Sequence, residues 1–399
     1  MRNNIFELTQ EELKKIADNL QTKIEEGLKK DKQEILCIPT HITPKPEIPN
    51  GKVLALDWGG TNFRAAVVEF NGGQATVLET VKTLINKDNT AGFKQDDLLR
   101  KMAECISKLN TLDESVTNIG YCFSYPAAAR LNGDAIVLRW TKGIDIPEMI
   151  EKPVGEMLMN YLNAHKDIKP AFKNVKVIND TVACLFGGLS ASGYDNYIGL
   201  IVGTGTNMAS LMRLNQIEKL NSKENWIVPV NLESGNFNPP HLTVIDGLVD
   251  AMSNNKGNQR FEKAISGGYL GEMFKTVFMQ EKVKYDFDGA DLSDILNNPQ
   301  NYSAEWTEAA QAIYNRSAKL VAASLAGIIQ VLTAQESATK RICLAADGSV
   351  FWSKIDGETQ YKNLVEKELK NLLPNDIEVT IIPEMADPNL IGSAIAALS

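Results

Sequence analysis

The segment LDWGGTNFR, Leu56 to Arg64, packs an acid, two glycines, a threonine, an asparagine and an arginine into a chain that is otherwise apolar. A second segment, GLIVGTGTN, ends at Asn207 and sets Gly205 and Thr206 between apolar stretches in the same way. Glycine reaches positive φ without a Cβ clash, so a strand can turn sharply there. It also lets a ligand approach consecutive backbone N–H groups, which form a nest for an anion. Thr61 and Thr206 add hydroxyl donors, and Arg64 can offer a guanidinium fork to a phosphate. Asp57 stands at a strand end, where a carboxylate can hold Mg²⁺ through water. Neither segment matches GxGxxG or GxxxxGK[ST], which argues against those nucleotide-binding classes. Each turn alone is equally readable as an ordinary hairpin. A third stretch, NVKVINDTVACLFGG (174–188), delivers Asn179 and Asp180 to the start of a helix. Spacing leaves two roles open for it: an N-cap, or a carboxylate at the C-terminal edge of a strand, where α/β proteins do chemistry.

The elements that must carry these residues are legible in the pattern. Leu13, Ile16, Leu20, Ile24 and Leu28 recur at steps of three and four, with Thr9 and Glu12 in capping-box spacing, and predict a helix. PTHITPKPEIPNG (39–51) breaks that periodicity and reads as a linker or surface strap. VLALD, FRAAVVEF and ATVLETVK then read as strands, with a hairpin at Asn71-Gly72. Further along, a helix is expected around 94–109, a strand around 117–123 and a strand-turn-strand over 197–214. A long Ala-rich helix near 305–334, a strand opening ICLAADGSVF (342–351) and a helix in LIGSAIAAL complete the reading. Strands mixed with helices give an α/β class. Two strand-turn-strand units 145 residues apart (207 minus 62) suit two related α/β halves.

The bulk properties narrow the function classes. A chain of 399 residues has room for two or three domains at ~100–200 residues each. A net charge of −9 offers no footprint for nucleic acid or an anionic membrane surface. Five cysteines without a CxxC pair suit buried free thiols in a reducing compartment, and three scattered histidines argue against a zinc site. No apolar signal core opens the chain, and no run of about 18 apolar residues interrupts it. The expectation is a cytoplasmic protein without nucleic-acid or membrane partners.

Taken together, the segments resemble the hexokinase family of sugar kinases, within the actin-like ATPase superfamily, and in length a short bacterial-type member. LDWGGTNFR is similar to the family's first phosphate segment and GLIVGTGTN to its second. FSYP (123–126), WTKG (140–143), VINDTV (177–182) and GNQRFEKAISGGYLGE (257–272) are similar to its sugar segments, and DGSVF (347–351) to its adenosine segment. They follow the family's order over roughly residues 50–351. NLESGNF departs from it by carrying Ser234 where a tryptophan usually follows the glutamate, and ADPNLIGSA (386–394) matches the C-terminal adenosine segment poorly.

The resemblance implies a set of roles. Asp180 would be the general base for a sugar 6-hydroxyl, with Lys142 and Arg64 offsetting charge on the transferred phosphoryl group. Ser124, Thr141, Lys142, Asn179, Asn207, Glu233 and Glu272 would hold the ring hydroxyls. Asp57, Gly59, Gly60, Thr61, Asn62, Arg64, Gly205 and Thr206 would meet the phosphates of ATP and its Mg²⁺, the metal being reached through water near Asp57. Asp347, Gly348 and Ser349 would lie near the adenosine, and Trp140 would pack beside the sugar loop. The chemistry suits these residue types. Each hydroxyl of a pyranose both donates and accepts, and a paired site rejects analogues lacking one. Phosphoryl transfer depends on positioning and charge neutralisation more than on base strength. The resemblance also implies two ribonuclease H-like α/β domains with mixed five-stranded sheets around a cleft. One would comprise 51–178 with 385–399, the other 1–50 with 179–384. The expected activity is ATP-dependent phosphorylation of an aldohexose such as glucose, by a monomer or homodimer. A kinase for mannose, fructose or an N-acetylhexosamine and a catalytically idle sugar sensor remain open.

Overall fold

The structure, a computed structural model, describes residues 3–279, 281, 283–284 and 286–399. Helix α1 (Gln10–Lys29) starts where the sequence signals it. Thr9 Oγ1 accepts from the Glu12 N–H, and the Glu12 carboxylate accepts from the Thr9 N–H at 2.8 Å. This reciprocal pairing satisfies amide donors that the first helical turn leaves unpaired.

Next come β1 (Ile38–Pro39), β2 (Gly51–Trp58), β3 (Asn62–Asn71), β4 (Gln74–Leu84), α2 (Gln95–Ile106), β5 (Asn118–Phe123), β6 (Ala127–Ala129) and β7 (Ala135–Val137). They are followed by α3 (Val154–Ala164), β8 (Asn174–Ile178), α4 (Asp180–Gly188), β9 (Asn196–Val202), β10 (Thr206–Arg213) and β11 (Ile227–Asn231). Helices α5 (Val244–Met252), α6 (Arg260–Ile265), α7 (Gly267–Val277), α8 (Gly289–Asn297) and α9 (Ala304–Gln335) precede β12 (Arg341–Asp347), α10 (Gln360–Leu372), β13 (Glu378–Ile381) and α11 (Pro388–Leu398).

One sheet runs β4-β3-β2-β5-β8, and the other β11-β10-β9-β12-β13 with β1 added outside β11. In each, the first three strands of the sequence pair antiparallel and the last two are parallel to the first. The two halves therefore share one topology, and the glycine turns occupy equivalent places, between the first and second strand of each sheet. The second sheet has six strands rather than five. Its extra member comes from the proline-rich segment expected as a linker, where Ile38 and Pro39 lie opposite Asn231 and Val230. On an edge, a proline withholds an N–H that the ladder does not use. The hairpin expected at Asn71-Gly72 closes one residue later, with Asn71 paired to Gln74 across Gly72 and Gly73 at φ 57° and 79°.

Between the sheets lie two helices. α4 packs on β9, β10 and β12, α11 packs on β2, β5 and β8, and the two helices pack on each other. At their crossing a Cβ on Gly392 would stand 1.8 Å from the Ala183 carbonyl oxygen, so only glycine permits this approach. The outer face of the first sheet is covered by α2 and α3, and that of the second by α1, α9 and α10. Helix α9 is long and apolar enough to cross a bilayer by composition, yet 78% of its most apolar stretch is buried in the protein. All five cysteines are buried free thiols, and burial pushes Cys37 up to about 12 and Cys105 to about 11.

Candidate active site

The first glycine turn follows from the register of β2 and β3, which sets Asp57 directly across from Arg64. Arg64 Nε and Nη2 donate to Asp57 Oδ2 at 3.0 and 2.7 Å, and Nη1 donates to Asp387 Oδ1 at 2.6 Å. Asn389, in the first turn of α11, donates to Asp57 Oδ1 at 3.3 Å. The guanidinium expected to meet a phosphate is thus committed to two carboxylates, and it orients Asp57. Burial raises the Asp57 carboxyl above its ordinary value, against the opposing pull of Arg64.

A cavity of about 470 Å³ opens over this turn, lined by Asp57, Gly59, Gly60, Asn62, Arg64, Ser124, Asp180 and Asn389. Seven of these eight are residues that the sequence singled out; Asn389 is not. The N-terminal turns of both central helices reach the cavity, α4 with Asp180 and α11 with Asn389. Helix N-termini present free amides and the positive end of the dipole to anions. Asn179 is the N-cap of α4, its Oδ1 accepting from the Val182 N–H at 2.9 Å. Asp180 Oδ1 accepts from its neighbour Thr181, from the N–H at 2.7 Å and from Oγ1 at 3.1 Å.

Lys142 stands at φ 59° and donates to the Gly59 carbonyl and, at 2.9 Å, to that of Ser124. It ties the WTKG segment to the first glycine turn and to the end of β5. Thr141 is half-buried beside it, and Thr61 is exposed at the turn. Beneath this floor Trp58, Phe123, Tyr125 and Trp140 pack with ring centroids 4.8–6.1 Å apart. Trp140 Nε1 donates to the Ile146 carbonyl at 2.8 Å, the packing role expected of it.

The second turn is arranged differently from expectation. Thr206 is buried and its hydroxyl donates to the Ile201 carbonyl at 2.8 Å, while its N–H donates to Glu262 Oε2 at 3.1 Å. The exposed hydroxyl of this turn belongs to Thr204, two residues earlier. From Gly205 a Cβ would meet Glu262 Oε2 at 2.7 Å. Asn207 Nδ2 donates to Asn231 Oδ1 at 2.8 Å, and Asn231 Nδ2 donates to Glu233 Oε1 at 2.7 Å. Ser234 N–H closes the chain by donating to Asn207 Oδ1 at 3.1 Å. Burial raises both Glu233 and Glu262, and each feels a neighbouring carboxylate, Asp180 for Glu233 and Glu233 for Glu262. Glu272, expected among these groups, sits on α7 paired with Lys275 at 2.7 Å, its side chain about half exposed. Glu262, missed in the sequence, occupies the buried place.

Asp347, Gly348 and Ser349 turn against the second glycine segment, with the Val350 and Phe351 N–H groups both donating to the Val202 carbonyl at 3.1 Å. Burial raises Asp347, with Asp180 adding to the shift. Asp180 is therefore the charge shared by Asp57, Glu233 and Asp347, contributed by three separate segments.

Sequence-family models described as hexokinase match residues 3–189 and, in a second part, 197–309 and 291–399. Hexokinase-2 of Schizosaccharomyces pombe is 26% identical, with 99% of this chain and 95% of the relative aligned. Glucokinase of Aspergillus niger is 31% identical over 70% of this chain and 63% of its own length. A solved hexokinase from Schistosoma mansoni, in complex with glucose, superposes with a TM-score of 0.79 at 23% identity, covering 99% of this chain and 97% of that one.

Proposed function

The chain belongs to the hexokinase family and is an ATP-dependent sugar phosphotransferase, and from that premise we propose that its acceptor is the 6-hydroxyl of an aldohexose such as glucose, with Asp180 taking the proton. One observation carries this reading: Asp180 and the Asp57–Arg64 turn line the same cavity. The attacking oxygen and the phosphates would meet there, with the amides of two helix N-termini alongside.

Asn207, Asn231, Glu233 and Glu262 form a polar wall suited to ring hydroxyls, each able to accept or donate. Ser124 and Lys142 would face it from the other sheet. Closure of the two domains around the sugar would exclude water from the phosphoryl group. Asp57 would hold, through water, a magnesium ion brought in with the triphosphate, and that ion would supply charge neutralisation at the phosphates. Among the described residues no group of three or more His, Cys, Asp or Glu side chains is arranged to hold a metal.

A panel of hexoses and N-acetylhexosamines with MgATP, followed by ADP release, tests the substrate class. Glucose is expected to give the highest kcat/KM. Turnover of only a ketose or an N-acetyl sugar overturns the assignment.

The raised Glu233 carboxyl gives a pH prediction. Its acceptor form is lost as pH falls through a folded value above the ~4.3 of a free glutamate, so hexose KM rises on the acid side earlier than an ordinary glutamate dictates. Stability moves oppositely. A raised folded value means that the native state binds more protons across that window, so stability falls as pH rises through it. Glu233→Gln is expected to raise hexose KM by about 10–100-fold, the loss of one or two hydrogen bonds to a charged group. At neutral pH it melts no lower than wild type. KM against pH and thermal unfolding of both proteins check the two signs, and a lower melting temperature with unchanged KM contradicts both.

A further inference from the structure

Asp250 lies in the last turn of α5, outside the cavity, with 8% of its surface exposed. Its Oδ1 accepts from Lys263 Nζ at 2.7 Å, its Oδ2 accepts from Arg260 Nη1 at 3.1 Å, and the Gly257 N–H is shared between both oxygens at 3.0 Å. Lys263 is 2% exposed and donates also to the Asn255 carbonyl at 2.9 Å. One carboxylate therefore collects donors from three places in the next thirteen residues (263 minus 250).

The segment between α5 and α6, SNNKGNQ (253–259), contains no apolar side chain. It has nothing to bury, so hydrophobic packing cannot fix its path. Its polar anchors to α5 and α6 are those just described and the Ser253 hydroxyl donating to the Asp250 carbonyl at 2.8 Å, and within the segment the Asn255 side-chain amide donates to Gln259 Oε1 at 2.6 Å. The path matters because it sets where α6 starts. Gln259 takes a left-handed conformation at φ 51°, which an ordinary residue holds only when its surroundings impose it. Helix α6 then begins, only six residues long, and sets Glu262 beside Lys263 with Glu262 Oε2 on the Thr206 amide. So short a helix is not stable alone. Its placement depends on Phe261, whose N–H donates to the Phe237 carbonyl at 2.7 Å, and on the buried Lys263–Asp250 pair.

We propose that Asp250 is a positioning residue for sugar binding: by gathering Lys263, Arg260 and the Gly257 amide it fixes the start of α6 and so aims Glu262 at the acceptor. The inference rests on the reading of Glu262 as part of the sugar wall. Asp250 does not line the cavity and its oxygens are taken by protein donors, so its loss is expected to weaken hexose binding through Glu262 while nucleotide binding is spared. Removing it alone strands a buried ammonium, which is costly, so the variant pair needs a charge-matched member.

The test uses the full chain and five variants: Asp250→Asn, Asp250→Asn with Lys263→Met, Glu262→Gln, Glu262→Gln combined with the charge-matched pair, and Arg260→Ala. Glucose affinity is read by tryptophan fluorescence, KM for glucose and MgATP by ADP release, and folding by urea denaturation. The charge-matched pair is expected to fold, raise glucose Kd and KM about 10–50-fold, and leave MgATP KM and kcat within about threefold. Added to Glu262→Gln, it should change glucose affinity no further, because both act through one contact. Arg260→Ala, which removes only the partly exposed arm, should weaken glucose about threefold and decides the matter if neither Asp250 variant folds. Unchanged glucose affinity in a folded variant, equal loss of glucose and MgATP affinity, or full additivity with Glu262→Gln overturns the proposal. If wild-type protein phosphorylates no hexose, it is the functional reading that fails rather than this one.

Discussion

Asp180→Ala is expected to lower kcat for hexose phosphorylation by about 10²–10⁴, the range lost when a positioned base is removed, while glucose binding survives within a few-fold. The geometry supports both halves of this outcome. Oδ1 of Asp180 is occupied by Thr181, and among the described residues Oδ2 has no protein donor. The carboxylate is thus oriented through one oxygen and open to the cavity through the other. A loose transition state asks it to accept the proton late, so placement counts for more than basicity. On the proposed reading, binding would rely on other groups, on Asn207, Glu233, Glu262 and the Ser124 segment, whose hydrogen bonds run among themselves and not through Asp180. Asp180→Asn keeps the shape of the helix start and should fail in turnover equally. Steady-state ADP release and fluorescence titration with glucose separate the two quantities. Turnover above about a tenth of wild type in either variant removes Asp180 from the role of base.

The second large effect is expected at Gly348. This residue stands at φ 113°, and a Cβ there would meet the Val202 carbonyl oxygen at 2.3 Å and the Gly203 nitrogen at 2.7 Å. Both neighbours are backbone of the second glycine turn, so no side chain can swing away to relieve the contact. Strain at such a φ costs about 1–3 kcal/mol and overpacking a similar amount. Gly348→Ala should therefore lose about 2–6 kcal/mol from a total of only 5–15. The alternative to unfolding is separation of the 347–349 turn from the 203–205 turn, which would weaken MgATP binding. Gly357 provides the control: it sits at φ 80° with nothing within 4 Å of a Cβ. Gly357→Ala carries the strain without the clash. Urea denaturation of both should show the larger shift at Gly348, and equal shifts would mean that the packed turns yield cheaply.

The sequence disclosed the parts that depend on local rules. Periodicity and the Thr9–Glu12 spacing located α1, strand-like apolar runs bounded by turn signals located β2 to β4, and glycines marked both turns. The resemblance to the hexokinases pointed to seven of the eight residues that line the cavity. What it misjudged depends on how separate elements meet. Glu262 and Glu272 lie in one quoted segment, and nothing in their spacing says that the chain breaks at Ser266 between two helices. That break buries Glu262 under Gly205 and turns Glu272 toward Lys275. Thr204 and Thr206 differ only in which side of the turn they occupy, and the Ile201 carbonyl claims the second. Arg64 read as a phosphate ligand because Asp387, its second partner, lies 323 residues away. The Asn389–Asp57 contact was hidden because the segment carrying it departs from the family's pattern.

The central place of α11 also bears on how the protein is made. The inner face of the first sheet, with Val53, Ala55, Cys122 and Ile178, is sealed partly by Leu390, Ala394 and Ile395. Those residues leave the ribosome some 210 positions after β8 ends (388 minus 178), an interval of about 10–40 s at ordinary elongation rates. For that time a nascent chain carries a nearly complete sheet with one oily side unsealed, an invitation to holding chaperones and to premature clumping.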